Sequence, residues 1–310
     1  MENVGKTLRH LMDQRHVAGV YQQLMEDVLQ DNEVQAFLQE HADELSEEEV
    51  MKSYAKLYEF VQEKKKYLTQ DTTMIAPGYK PQLVLNHHFV DVSYVPTAEL
   101  LAQQEKQAIM RRVSTFEMPK DVKNAAFDQL ELTPERAPAI DQALAFVEAY
   151  QENPRDFHKG LYLSGSFGVG KSYLLGAIAH ELAVRGHETL VVHFPAFAGE
   201  MKRGIGRGTL DEQLQQAKKV PILMLDDLGA DTLSSWIRDE VLGVILQYRM
   251  QEQLPVFISS NIAMKDLERV YLTTNNKGEE EPLKAKRLME RVRYLTKEVH
   301  IEGRNRRNMN

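Results

Sequence analysis

The eight residues Gly165-Ser166-Phe167-Gly168-Val169-Gly170-Lys171-Ser172 constrain this chain more than any others. Their spacing, G-x-x-x-x-G-K-[ST], follows the apolar run LYLSG and precedes an apolar stretch, which predicts a strand, a phosphate-cradling loop and a helix in that order. The glycines let the backbone curl until its N–H groups converge. Lys171 adds a point charge for the β and γ groups, Ser172 offers its hydroxyl to Mg²⁺, and the helix beginning there turns its positive end toward the same anion. Such a loop works only at the end of a buried strand, so it commits the second half of the chain to α/β architecture and to a nucleoside triphosphate, ATP, with Mg²⁺.

The surrounding residues agree. LYLSG (161–165), TLVVHF (189–194), ILMLDD (222–227) and VFISSN (256–261) are near-continuous apolar runs, as strands covered on both faces require. Leu163, Leu190, Leu223 and Phe257 lie about 27 to 34 residues apart, room for one crossover helix each, and residues 171–185, 208–219 and 234–250 are the candidate helices. The third run stops at two acids. Asp226 is the expected magnesium acid, and Asp227 is the candidate base for an attacking water, one methylene shorter than the glutamate of a typical motor ATPase. Asn261 closes the fourth run, where an amide would orient that water or touch the γ-phosphate. In KAKRLMERVRYL, Leu288, Val292 and Leu295 form an apolar helical face edged by Arg287 and Arg291, candidates for an arginine finger reaching a neighbouring subunit, with Arg291 ahead. Only 49 residues follow Asn261, which predicts one helix, a last strand and no full lid; nucleotide contacts from beyond the core would then come from Arg304, Arg306 or Arg307 in the tail.

The first half reads differently. Residues 1–110 carry 10 Lys and Arg against 18 Asp and Glu, a balance that argues against wrapping DNA, whereas residues 283–310 carry 9 basic and 3 acidic residues and suit an approach to phosphates. The first ~70 residues predict short amphipathic helices, with Ser46 and Glu49 as a capping box and Val50, Tyr54, Leu57, Tyr58 and Val61 as one apolar stripe. LVLNHHFVDVSYV predicts strands, residues 97–112 a helix, and the proline-bearing stretch after it a boundary near residue 115. The expected organisation is a mainly helical domain over 1–115, a linker over 116–135 and an ATPase domain over 136–310. In FAGEMKRGIGRGTLDEQ (197–213), Lys202, Arg203 and Arg207 interleave with glycines as in a mobile loop touching a phosphate backbone, with Phe194 and Phe197 nearby as candidates to stack on single-stranded DNA bases. The chain has no cysteine, which excludes disulfides and thiolate metal sites. No apolar run approaches the ~18 residues of a membrane span and no apolar leader opens the sequence, so a cytoplasmic protein without a membrane partner is expected.

The motifs GSFGVGKS, LMLDDLGAD, ISSN and KRLMERVR, with the stretch MPKDVKNAAFDQL, resemble the DnaC/DnaI subfamily of AAA+ ATPases, and the acidic N-terminal region is similar to the DnaI type. The resemblance implies an AAA+ P-loop core, a parallel sheet between helices, behind a helicase-docking domain. It further implies an ATP-dependent loader that binds the hexameric replicative helicase and delivers it onto single-stranded DNA during primosome assembly, with other primosome proteins as partners and self-association through the ATPase domain. The aspartate pair and separate docking domain suit slow, switch-like hydrolysis better than a processive motor. A transposase-helper ATPase shares the core, and a non-hydrolysing adaptor shares the outline. Some N-terminal domains of this type carry a cysteine-and-histidine zinc cluster; here His87 and His88 stand without any cysteine, so zinc is not expected.

Overall fold

The computed structural model describes residues 17–204, 210–274 and 278–306. They form two compact units that divide between Lys106 and Gln107.

In the first unit the chain runs through α1 (Val17–Leu29), α2 (Asn32–Glu40), α3 (Glu47–Lys52) and α4 (Tyr54–Leu68) to the hairpin β1 (Tyr79–Asn86) and β2 (Phe89–Pro96), then enters α5 (Ala98–Arg112). The expected capping box opens α3: Glu49 N–H donates to Ser46 Oγ (3.4 Å) and Ser46 N–H donates to Glu49 Oε2 (2.8 Å). Of the predicted stripe, Tyr54, Leu57 and Val61 are buried with Phe60, Val28 and Val34, and Leu83 and Val90 of the hairpin complete this core. Tyr58 lies outside it, exposed. The buried Ser53 hydroxyl joins helix to hairpin, donating to the Glu49 carbonyl and accepting from Val90 N–H (both 2.9 Å).

The second unit is one six-stranded sheet made of β3 (Val113–Phe116), β4 (Gly160–Ser164), β5 (Thr189–His193), β6 (Ile222–Asp226), β7 (Val256–Ser260) and β8 (Thr296–His300). The strand order is β3-β5-β6-β7-β4-β8 and every pairing is parallel. The connections include α6 (Lys120–Lys123), α7 (Ala137–Glu152), α8 (Lys171–Val184), α9 (Phe194–Gly204), α10 (Leu210–Lys219), α11 (Gly243–Gln251), α12 (Met264–Leu267) and α13 (Pro282–Leu295). Side chains alternate across the sheet as the strand period demands. Leu161, Leu163, Met224 and Phe257 face a cluster that includes Phe146, Leu174 and Ile178, while Tyr162, Leu223, Leu225 and Ile258 face one with Ile245 and Leu288.

Two expectations change here. The stretch 116–135 is not a linker: β3 pairs with β5, and Met118, Val122, Ala125 and Leu130 are buried in the core beside α8. The boundary therefore falls before residue 107, because a four-residue edge strand and a short helix bury these apolar side chains against the sheet. Second, residues 194–204 form a helix rather than a mobile loop.

Among the described residues, no helix is long and apolar enough to cross a membrane. An unusual internal staple fixes the lower end of the sheet. Arg249 of α11 is fully buried, and its guanidinium donates to the carbonyls of Ala217, Lys218 and Val220 at the end of α10 and to those of Pro221 and Pro255, which precede β6 and β7 (2.7–3.1 Å).

Candidate functional site

The strand order decides what meets what. β7 lies between β4, which leads into the P-loop, and β6, which ends in the aspartates. Asn261, the residue after β7, is therefore placed between Lys171 and Asp227. The Lys171 ammonium, 7% exposed, donates to the carbonyls of Gly165 and Ser166 (both 2.8 Å) and to Asn261 Oδ1 (2.7 Å). The Asn261 amide nitrogen donates to Asp227 Oδ1 (3.1 Å).

The P-loop takes its shape from glycine. Gly168 and Gly170 hold φ of 75° and 97°, a region costly for residues with a Cβ. Steric room is equally tight: a Cβ on Gly168 would sit 2.0 Å from Asn305 Oδ1, and one on Gly165 2.2 Å from the Ile301 carbonyl oxygen. Val169 turns inward to the core, and Phe167 stands exposed at the rim. The cavity above the loop has a volume of about 520 Å³.

Asp226 is buried (3% exposed) and hydrogen-bonded to Ser172 and to the Ser259 hydroxyl, which donates to its Oδ1 at 2.6 Å. Burial pushes its carboxyl above the usual carboxylate range, with the neighbouring Asp227 charge adding to the rise; the two serine hydrogen bonds and His193 oppose it. A carboxylate with so little water around it, beside a serine hydroxyl and an open cavity, fits a divalent cation that phosphate oxygens and water would complete. Among the described residues, no group of three or more His, Asp or Glu is arranged to hold a metal by protein ligands alone. Asp227 adopts a left-handed φ of 60°, with its N–H donating to Ser259 Oγ (2.9 Å). That turn aims its carboxylate toward Asn261 and the cavity.

Of the residues singled out in the sequence, Phe167, Gly168, Gly170, Lys171, Ser172, Asp226, Asp227 and Asn261 line one cavity. Of the tail candidates Arg306 lines it too and Arg304 does not, while Arg307 lies outside the described residues; His193 and Gln129, not singled out in the sequence, also line it. His193 sits at the end of β5 in register with Asp226, a polar strand end that the apolar-run pattern already marks. Gln129 belongs to the stretch read as linker, and accepts from the Tyr173 hydroxyl (3.1 Å). Arg287 and Arg291 lie outside the cavity; Arg287 is exposed on α13, while Arg291 donates to the Gly243 carbonyl (2.8 Å). The proposed base stackers need correction. Phe194 and Phe197 are 1% and 2% exposed, packed in the core with Met201, and Phe197 meets Phe116 edge-on, so neither ring is open to a base. Lys202 and Arg203 are exposed, the latter paired with Glu200 (2.6 Å), and Arg207 lies outside the described residues.

Two family models together cover most of the chain. Residues 1–94 match the family model described as the primosomal protein DnaI N-terminus, and residues 87–308 match that of the IstB-like ATP binding protein. The replicative helicase loader DnaI of Bacillus subtilis (strain 168) is 38% identical over 314 residues, with 99% of both chains covered. The chain belongs to the DnaI family. A crystal structure of DnaI superposes on it with a TM-score of 0.54 at 43% identity, covering 64% of this chain and 98% of that one. A structure from Streptococcus pyogenes serotype M3 gives the same TM-score at 42% identity, covering 65% and 98%. The Bacillus subtilis relative thus spans both units of the chain, the N-terminal acidic one included.

Proposed function

We propose that this chain is an ATP-dependent helicase loader. Its first unit grips the hexameric replicative helicase, and its second unit binds ATP with Mg²⁺ and uses slow hydrolysis to release the grip once the helicase is on single-stranded DNA. The observation that carries this reading is the single cavity uniting Lys171, Ser172, Asp226, Asp227 and Asn261, on a chain whose full length aligns with a helicase loader.

The roles follow from position. The P-loop N–H groups and Lys171 would hold the phosphates, and Ser172 with Asp226 would hold Mg²⁺, which supplies charge neutralisation on the phosphate oxygens. Asn261 and Asp227 are hydrogen-bonded to each other at the cavity wall, where together they would orient a water and accept its proton. With Asp227 fixed by its own backbone and by Asn261, its short arm has little reach, in keeping with a slow switch. In this reading Arg287, which is exposed, would reach a neighbouring copy, and the exposed Lys202 and Arg203 of α9 would meet DNA phosphates without help from Phe194 or Phe197.

Mixing the full chain with its cognate helicase and sizing the complex with and without ATP tests the reading; a complex whose size and lifetime ignore nucleotide would overturn it. So would residues 107–310 binding the helicase as tightly as the full chain.

Asp226 separates function from stability. Its raised carboxyl pKa means that the folded state binds a proton more tightly than the unfolded chain, so stability falls as pH rises from the unfolded value toward the folded one. Ionising Asp226 in the nucleotide-free fold therefore costs stability, because the carboxylate is buried. Asp226→Asn is expected to gain about 1 kcal/mol, raising the melting temperature by about 2–4 °C, while Mg²⁺-dependent hydrolysis drops by about 10²-fold. Calorimetric melting beside a phosphate-release assay checks both; a variant that melts earlier while hydrolysing normally would exclude the assignment.

A further inference from the structure

The chain after β8 folds back over the P-loop. Ile301 N–H donates to the Ser164 carbonyl (2.7 Å), Asn305 lies against Gly168, and Arg306 N–H donates to the Gly168 carbonyl (3.1 Å). The Arg306 guanidinium lines the nucleotide cavity and pairs with Glu131 at 2.6 Å. Arg304 reaches the same carboxylate (3.2 Å), and the buried Arg136, whose guanidinium lies against Gly170, donates to the Glu131 backbone carbonyl (2.8 Å). Two guanidiniums thus share the Glu131 carboxylate and a third holds the same residue's backbone carbonyl, all at the mouth of a phosphate site. The positive charge exceeds its counter-charge, and Arg136 feels it: burial first and the charge of Arg306 second hold its pKa down.

We propose that Arg306 is a nucleotide-binding residue parked on Glu131, and that a bound nucleoside triphosphate draws its guanidinium off Glu131 onto a phosphate. This rests on the nucleotide assignment above and adds a residue to it. The Arg306 and Glu131 side chains are 31% and 43% exposed, so their ion pair is of the weak, solvent-screened kind. A phosphate chain offers more charge and a geometry suited to a guanidinium fork. The exchange requires no refolding, because the Arg306 backbone is already tied to the loop that would cradle the phosphates. Glu131 is then a positioning residue: it keeps Arg306 at the site and sets how much affinity its release adds.

The test is a double-mutant cycle on the full chain, titrating ATP with Mg²⁺ by calorimetry. Arg306→Ala is expected to weaken binding about tenfold. Glu131→Gln, which removes the competing charge, is expected to tighten it about two- to fivefold. In the double variant the gain from Glu131→Gln disappears, since there is no arginine left to release. Arg306→Ala binding within twofold of the unaltered protein would overturn the proposal, as would a Glu131→Gln gain that persists without Arg306. If the unaltered protein fails to take up ATP, the nucleotide assignment itself falls, a result distinct from either of these.

Discussion

Lys171→Ala is expected to weaken ATP binding about 10³-fold while leaving the helicase complex intact. The first half of this expectation rests on burial. Truncating one partner of a desolvated charge pair costs roughly 2–5 kcal/mol, and about 1.4 kcal/mol is a decade of affinity. Lys171 is well shielded, and it donates to the Gly165 and Ser166 carbonyls of the P-loop and to Asn261 Oδ1 in the cavity wall. Alanine leaves these oxygens facing the phosphates with no cation between. The second half rests on the division of the chain. Among the described residues the apolar core built on Val28, Leu57, Phe60 and Val90 belongs to the first unit, whereas residue 171 belongs to the second, so a change at 171 is expected to leave that core alone. Calorimetric titration with ATP and a pull-down on immobilised helicase measure the two halves. Retention of ATP within tenfold would remove Lys171 from the phosphate site, and loss of the helicase complex without ATP present would undo the separation of duties.

Arg249→Met is expected to destabilise the second unit by about 3–5 kcal/mol, lowering its melting temperature by about 10 °C. Methionine fills much of the same volume but donates nothing. Five carbonyls would lose their donor, three of them at the end of α10, where a helix already lacks intrahelical partners. Burial pushes the guanidinium pKa down to about 9, so the side chain is charged at neutral pH, with both terminal nitrogens donating and only Nε left without an acceptor. Each orphaned buried carbonyl costs on the order of 1 kcal/mol or more. Thermal unfolding with a probe in each unit checks the expectation; a shift under about 2 °C would mean that water or relaxation replaces the arginine at little cost.

The P-loop and the aspartate pair are legible in the sequence because each is a run of adjacent residues bound to one strand end. The parallel sheet is legible for a related reason: strands buried on both faces admit little besides apolar residues. β3 is not, since VSTF is an edge strand, only half-buried along its length and set beside prolines. Phe194 and Phe197 mislead through their glycine-rich neighbourhood, although with Met201 they recur at i, i+3 and i+7, the spacing of a buried helical face. Arg249 falls on the apolar face of its helix, three and four residues after Leu246 and Ile245, but nothing in the sequence names the carbonyls of residues 217–221 and 255 that it meets. The clasp of Glu131 on Arg306 joins residues 175 apart, and nothing short of the folded chain brings them together.

Asn261 has one oxygen and one nitrogen, and both are spoken for: the oxygen by the lysine, the nitrogen by the second aspartate. An anion that pulls the ammonium outward takes away half of what holds that amide plane, and the amide in turn is a restraint on a non-glycine residue kept at φ of 60°. Filling the cavity and setting the angle of the Asp227 carboxylate are therefore not independent adjustments. A designer wishing to tune turnover without touching affinity would find no lever at position 261, because there the two quantities share a single torsion.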